Sequence, residues 1–244
     1  GVDTSQVVFS DDMITPLASV LVNRLTGSRT IITRKMQTPP SLTYEQKLKL
    51  DDLAERLIAS EEPVTILIDG HEAEISEYLI KKLPHAKVVM DGGSLRASNI
   101  KLAAWTDYFV VSEHFARDYM SYRSLSTEAE IKAALIELNK ICRGEAFITL
   151  GEKGCAFLKS GMLQIVPSWL CNAVDTTGAG DVFHGAFTYG VHYSWHIDNI
   201  ILFASLTAAI SIEKKGVRES MPDLAVVHHS LNSYERNLTQ YFEE

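Results

Sequence analysis

Cysteine is scarce and unpatterned: three in 244 residues, Cys142, Cys155 and Cys171, an odd number with no CxxC spacing. That excludes a disulfide framework, offers no zinc motif, and fits a reducing, cytoplasmic setting. Basic residues are outnumbered, 23 Lys and Arg against 31 Asp and Glu, for a net charge of −8. With no basic run either, the balance argues against a partner, nucleic acid or membrane surface, held mainly by charge. Long hydrophobic runs are missing too. The longest nearly apolar stretch, Ile200 to Ile212, has 13 residues and contains Ser205, Thr207 and Ser211. A membrane span needs roughly 20 apolar residues, so this stretch predicts a buried helix. No GxGxxG follows an early strand, which disfavours dinucleotide-dependent redox chemistry, and no solenoid-type repeat or low-complexity tract is visible. The chain opens on Gly1-Val2-Asp3-Thr4 without an initiator Met, a basic leader or an apolar signal core, and we expect a further segment upstream.

What is present reads as a globular α/β chain, 46% apolar, long enough to bury one sizeable core. Two β-branched segments, Leu17 to Asn23 and Thr30 to Arg34, flank Thr26-Gly27-Ser28 and predict a hairpin. Beyond Thr38-Pro39-Pro40-Ser41, apolar positions at helical spacing predict a helix from Thr43 to Ser60. Val64 to Ile68 then reads as a parallel strand buried on both faces. It ends at Asp69-Gly70 and is followed by a helix from Glu72 to Lys82. The pattern repeats, with strand Lys87 to Met90 ending at Asp91-Gly92-Gly93, a helix from Ser94 to Ala104, and strand Tyr108 to Val111 ending at Ser112-Glu113. A helix from Thr127 to Cys142 leads to strand Ala146 to Leu150 and to short strands Cys155 to Lys159 and Leu163 to Val166. Helices over Gly180 to His192, His196 to Glu213 and Asp223 to Phe242 complete the chain. Repeated βα units imply a mostly parallel, helix-flanked sheet, and ligands of such sheets sit beyond the carboxyl ends of the strands.

The segment richest in chemistry runs Val174-Asp175-Thr176-Thr177-Gly178-Ala179-Gly180-Asp181-Val182-Phe183-His184-Gly185-Ala186-Phe187. Small residues lead into a helix whose unpaired N–H groups and positive dipole end favour an anion. Gly178, Ala179 and Gly180 can cradle a phosphoryl group, and Asp181 follows where an attacking hydroxyl must lose its proton. A bare GxGD pattern also arises as a tight turn before a first-turn helix carboxylate; the wider context separates the two.

The segment closely resembles the C-terminal signature DTxGAGDxFxGA of the ribokinase, or pfkB, family of sugar and nucleoside kinases; this chain has DTTGAGDVFHGAF. The resemblance continues in Ile148-Thr149-Leu150-Gly151-Glu152-Lys153-Gly154, similar to the family's nucleotide-side TLGxxG loop, and in AAISIEKKGVRESMP from Ala208 to Pro222. Residues 1 to 32 resemble the family's lid region, their Thr15-Pro16 and Gly27-Ser28-Arg29-Thr30-Ile31 pieces being similar to ketohexokinases, while DVFHGA is similar to bacterial sulfofructose kinases. The resemblance implies a ribokinase-like α/β fold, with residues 1–38 part of a small β lid and 39–244 the nucleotide-binding and catalytic domain. It implies a carbohydrate kinase that moves the γ-phosphoryl of ATP to a sugar hydroxyl, with a ketose as one candidate acceptor. Asp181 becomes the general base and substrate contact, and Gly178, Ala179 and Gly180 the anion hole. Thr149, Gly151, Gly154 and Ser112 face the nucleotide. Asp175, Thr177, Ser211, Gly216 and Ser220 match positions around a monovalent cation, K+, in some members. Mg2+ would be held largely by phosphates and water, and a homodimer paired through the lid is the expected assembly.

Departures from the pattern keep alternatives open. Ser112-Glu113-His114-Phe115 stands where the family often has Asn-x-x-Glu, and His71 where ketohexokinases commonly carry Arg. The Asn- and Gly-rich sugar-binding segment usually found upstream of the lid does not occur between Gly1 and Glu244. A nucleoside kinase of the same family, or a catalytically weak nucleotide-binding regulator, therefore stays in view. Arg96, beyond the Asp91-Gly92-Gly93 strand end, reads equally as a substrate contact or a solvated cation at a helix start. Asp11-Asp12 reads as a solvated turn or as a reach toward a neighbouring site. His184 reads as a packed side chain before a ligand contact, His192 and His196 as a surface or interhelical pair before a metal site, since no third ligand is apparent, His228-His229 as helix surface, and the three cysteines as buried and inert.

Overall fold

The computed structural model describes residues 2–7, 14–22, 29–34 and 41–242. The turn expected at Thr26-Gly27-Ser28, the punctuation at Thr38-Pro39-Pro40 and the pair Asp11-Asp12 lie outside them. The chain divides into two compact units, Gly1–Leu53 and Ala54–Glu244.

In the first unit, strands β1 (Ala18–Val22) and β2 (Arg29–Thr33) pair antiparallel, with Val20 opposite Ile31 and Ser19 opposite Ile32. The hairpin expected from the β-branched segments is present. Leu21 and Ile32 share one face of this ribbon by register and are both 57% exposed. Helix α1 (Tyr44–Ala59) follows.

The second unit is built on one sheet of strands β3 (Thr65–Ile68), β4 (Lys87–Gly92), β5 (Tyr108–Ser112), β6 (Glu145–Thr149), β7 (Cys155–Lys159) and β8 (Met162–Val166), ordered β3-β4-β5-β6-β7-β8. The pairs from β3 to β6 are parallel and the last two antiparallel. Side chains alternate across it, as period two demands. Val88, Met90, Phe109, Val111, Ala146 and Ile148 meet helices α2 (Ala73–Lys82), α3 (Ala97–Ala103), α4 (Glu113–Tyr119) and α5 (Glu128–Ile141) on one face. Val89, Val110, Phe147 and Phe157 meet α6 (Ala179–His192), α7 (Ile197–Ser211) and α8 (Leu224–Phe242) on the other. Phe187 of α6 lies edge-on to Tyr108 and Phe147, with ring centroids 5.7 and 5.3 Å away. Such aromatic pairs add about 0.5–1.5 kcal/mol beyond area burial and fix α6 against the middle of the sheet.

Local signals set the boundaries. Thr127 caps α5 in a reciprocal box with Glu130: Thr127 Oγ1 accepts from the Glu130 N–H at 3.2 Å, and Glu130 Oε2 accepts from the Thr127 N–H at 2.9 Å. Ser160 and Gly161 join β7 to β8 with φ of 51° and 75°, the left-handed pair a two-residue hairpin turn requires. Ile200 to Ile212 is largely the buried helix α7, and no helix among the described residues is long and apolar enough to cross a membrane.

Three expectations are corrected. β3 is an edge strand among the described residues, paired only with β4, and its Leu67 is 43% exposed. A short helix that was not expected follows the strand ending at Ser112-Glu113: Ser112 accepts from the Phe115 N–H at 3.0 Å and starts α4 directly. Of the cysteines only Cys155 is buried; Cys142 and Cys171 are half-exposed.

Candidate active site

The signature segment becomes a loop running into α6. Gly178 caps this helix with φ of +76°, and a Cβ there would sit 2.6 Å from Val217 Cγ1. The position therefore needs glycine twice over, for its left-handed backbone and for the close approach of the 217 side chain. The first i→i−4 bond of the helix runs from the Val182 N–H to the Gly178 carbonyl at 2.9 Å, and the Ala179 N–H makes a long 3.4 Å turn bond to Thr176. The Gly180 and Asp181 N–H groups precede that first bond and point out of the helix end. Gly180 has open space where a Cβ would stand. Asp181 lies exposed in this first turn, and its carboxylate has no hydrogen-bond or ion-pair partner among the described residues.

Asp175 braces the loop from behind. Its Oδ1 accepts from the Thr177 N–H at 3.0 Å and its Oδ2 from the Gly216 N–H at 3.3 Å, while the Val174 and Asp175 N–H groups donate to the Ile212 carbonyl at 2.7 and 3.1 Å. The structure thus brings Asp175, Thr177 and Gly216 to one junction, which Ser220 joins by donating its N–H to the Gly216 carbonyl at 3.1 Å. The hydroxyls of Ser211 and Ser220 donate to the Ala208 and Val217 carbonyls at 2.8 and 3.3 Å. The anionic Asp175 and the backbone carbonyls of this junction are hard oxygen donors, the type that suits an alkali cation. Among the described residues no group of three His, Cys, Asp or Glu gathers as a metal cluster.

Ser112 and Thr149, both expected to face the nucleotide, are register partners at the carboxyl ends of β5 and β6. The Ser112 hydroxyl also donates to the Gly93 carbonyl at 2.9 Å, so both its donor and its acceptor functions are engaged in holding the loop and helix around it. Gly151 (φ +59°) is exposed, with nothing within 4 Å of the place a Cβ would take, whereas a Cβ at Gly154 would run into the Val166 carbonyl oxygen. Gly151 leaves room for a ligand, and Gly154 closes the turn against β8. Arg96, at the start of α3, is half-exposed with no side-chain partner among the described residues.

Sequence reasoning did not single out Asp91. It lies half-buried one residue before the end of β4, with Oδ2 3.3 Å from His184 Nδ1. Burial pushes its carboxyl above the usual range; His184 pulls it down, Asp181 and Asp69 push it further up, and the Gly93 N–H lowers it. The Asp69 and Asp181 carboxylates thus both act on Asp91 at the carboxyl end of the sheet. The signal in the sequence was an Asp-Gly pair closing two successive strands. His184 packs as expected, being 3% exposed. His192 and His196 turn to different partners, Thr65 Oγ1 at 3.5 Å and Asp198 Oδ2 at 3.2 Å, and His228 and His229 are exposed on α8.

This arrangement, an anion-accepting helix end with an unpartnered carboxylate in its first turn beyond a parallel sheet, agrees with what the chain resembles. The model of the pfkB family carbohydrate kinases matches residues 1–224. The ribokinase of Lactococcus lactis is 29% identical over 189 residues, covering 78% of this chain and 60% of its own length. Among solved structures, ribokinase from Giardia lamblia superposes with a TM-score of 0.72 at 21% identity, over 90% of this chain and 72% of that one. Arabidopsis thaliana ribokinase, complexed with ribose and ATP, gives 0.69 at 21% over 88% and 68%. At such identities the structural likeness is one of fold: ribokinase-like, with a mostly parallel sheet between two helical layers. The chain spans 60% of the Lactococcus protein and 46% of the Haemophilus influenzae ribokinase, 30% identical over 143 residues. Signature, sheet and family match coincide on the same residues, and the chain belongs to the pfkB family of carbohydrate kinases.

Proposed function

We propose that this chain carries the phosphoryl-transfer half of an ATP-dependent carbohydrate kinase, with Asp181 as general base. The observation that carries the reading is the exposed, unpartnered Asp181 carboxylate in the first turn of α6, directly after the Gly178-Ala179-Gly180 turn. An acceptor hydroxyl beside Asp181 gives up its proton as its oxygen attacks the γ-phosphorus in line, and the Gly180 and Asp181 amides, with the helix dipole, stabilise charge gathering on the phosphoryl oxygens. Mg2+ when bound supplies charge neutralisation on the phosphates. Thr149, Gly151 and Gly154 line the nucleotide side, Arg96 reaches toward the acceptor, and Asp175, Thr177, Ser211, Gly216 and Ser220 form the monovalent-cation junction. ATP and a pentose are the first substrates to test, since the Arabidopsis relative was solved with ribose and ATP; ketoses follow. Residues 1–38 form part of a lid, through which two copies pair.

The test is acceptor-dependent ADP release with MgATP and a panel of pentoses, ketoses, sulfosugars and nucleosides. Asp181→Asn is expected to lower kcat by about a hundredfold or more while nucleotide binding by calorimetry is kept; unchanged turnover removes the base assignment. Turnover confined to nucleosides makes it a nucleoside kinase. One observation favours a catalytically weak regulator instead: the Ser112 hydroxyl, standing in the Asn-x-x-Glu region, is engaged on both sides. ATP binding with no turnover on any acceptor selects that reading.

A further inference from the structure

The His184 ring sits one turn after Asp181 on α6, and both of its nitrogens face oxygen acceptors. Nδ1 lies 2.7 Å from the Gly180 carbonyl and 3.3 Å from Asp91 Oδ2, and Nε2 lies 3.2 Å from the Val110 carbonyl of β5. No donor faces the ring among the described residues. A neutral imidazole donates from one nitrogen and accepts at the other, so it would set a lone pair against a carbonyl oxygen inside the core; a ring donating from both nitrogens makes all of these contacts. Its charge is then balanced by Asp91, the one carboxylate in contact with it. The pair links three elements: Asp91 lies one residue before the end of β4, Val110 lies in β5, and Gly180 is the last residue of the phosphoryl-cradling turn on α6.

We propose that Asp91 and His184 form a buried ion pair that positions the first turn of α6, and through it Asp181 and the Gly180 amide, for phosphoryl transfer. This deepens the kinase reading and rests on it. Both are positioning residues, acting through the Gly180 carbonyl that His184 holds. Neither charge is free to leave: removing one partner strands the other in a site 3% exposed on the His184 side, which costs far more than removing both together. The charged groups facing the pair are Asp69 from the end of β3 and Asp181 from α6, both of which push the Asp91 carboxyl further above its ordinary range than burial alone. The pair needs Asp91 ionised, so positioning is lost as pH falls through that raised value.

The experiment compares the full chain with Asp91→Asn, His184→Asn and the double variant, each checked by thermal melting. Each single substitution is expected to lower kcat by about tenfold to about a hundredfold, with KM for ATP kept within about threefold. In Asp91→Asn the acid limb of the kcat profile moves to lower pH. The double variant removes both charges and leaves two amides able to bond each other, so it is expected to recover much of the loss. Singles that turn over at the wild-type rate, or a double whose loss multiplies those of the singles, overturn the proposal. Long-range 1H–15N spectra read the pair without turnover. Two protonated ring nitrogens at His184 in the wild type, reduced to one in Asp91→Asn, are expected, and a singly protonated ring in the wild type overturns it even where a variant fails to fold. A wild type that turns over no acceptor yet shows the doubly protonated ring counts against the kinase reading and in favour of the pair.

Discussion

Gly178 shows how one residue joins fold and chemistry. Its left-handed φ of +76° and the 2.6 Å approach of Val217 Cγ1 to a would-be Cβ both act on the turn that aims the Gly180 and Asp181 amides. A left-handed L-residue costs about 1–2 kcal/mol, and displacing Val217 adds to it. Gly178→Ala is therefore expected to destabilise the protein by about 2–3 kcal/mol, read as a lowered urea midpoint, and to lower kcat even where folding is complete. Wild-type stability in that variant would mean that the loop is held elsewhere, through Asp175. The signature made this glycine legible, since small residues before a helix leave few alternatives. Asp91 and His184 were not legible as a pair because they are 93 positions apart, and only the packing of α6 onto β4 places their side chains 3.3 Å from each other. Local pattern names residues that act within one segment; pairs made across layers wait for the topology.

Elements follow the same division. α5 was readable from its apolar spacing and from Thr127 at its head, and the structure adds the box in which the Glu130 carboxylate accepts from the Ser126 and Thr127 N–H groups at 2.9 Å each. Those backbone bonds hold the Glu130 carboxyl below its ordinary 4.5. A carboxyl whose folded value is lowered contributes stability that is fully present above the ordinary value and is lost as pH falls through the folded one. Thr127→Ala is expected to cost about 1 kcal/mol by urea unfolding at pH 7 and to leave acceptor-dependent ADP release unchanged. The Glu130 bonds to the two backbone N–H groups survive this substitution, so the deficit should persist as pH falls; a deficit that vanishes as Glu130 protonates would mean that the threonine hydroxyl and the carboxylate act as one unit. α4 escaped the sequence reading for a physical reason. It has only seven residues, Glu113–Tyr119, and begins on a serine cap with no turn residue between strand and helix. β3 misled for another reason: an apolar run reports burial of side chains, whereas edge or centre is set by which strand lies beside it, and Val64 to Ile68 carries no mark of that.

At the scale of the whole molecule, the six-stranded sheet and its two helical layers were legible because βα units, strand ends and buried runs alternate along the sequence. The β1–β2 ribbon belongs to another order of organisation. A two-stranded hairpin is marginal in water, and this one presents Leu21 and Ile32 on one face, each 57% exposed, with Leu17 at 66% beside β1. Apolar side chains exposed on such a ribbon gain most from a second, identical ribbon, and a twofold arrangement lets each copy cover the other. The chain is accordingly expected to be a dimer by light scattering at micromolar concentration. Leu21→Lys with Ile32→Lys places like charges on that shared face and is expected to yield a monomer whose melting transition is little changed, since neither residue belongs to the core of the sheet. A wild-type monomer would remove the ribbon as an interface. A dimer that survives both lysines would move the contact to another surface of the chain.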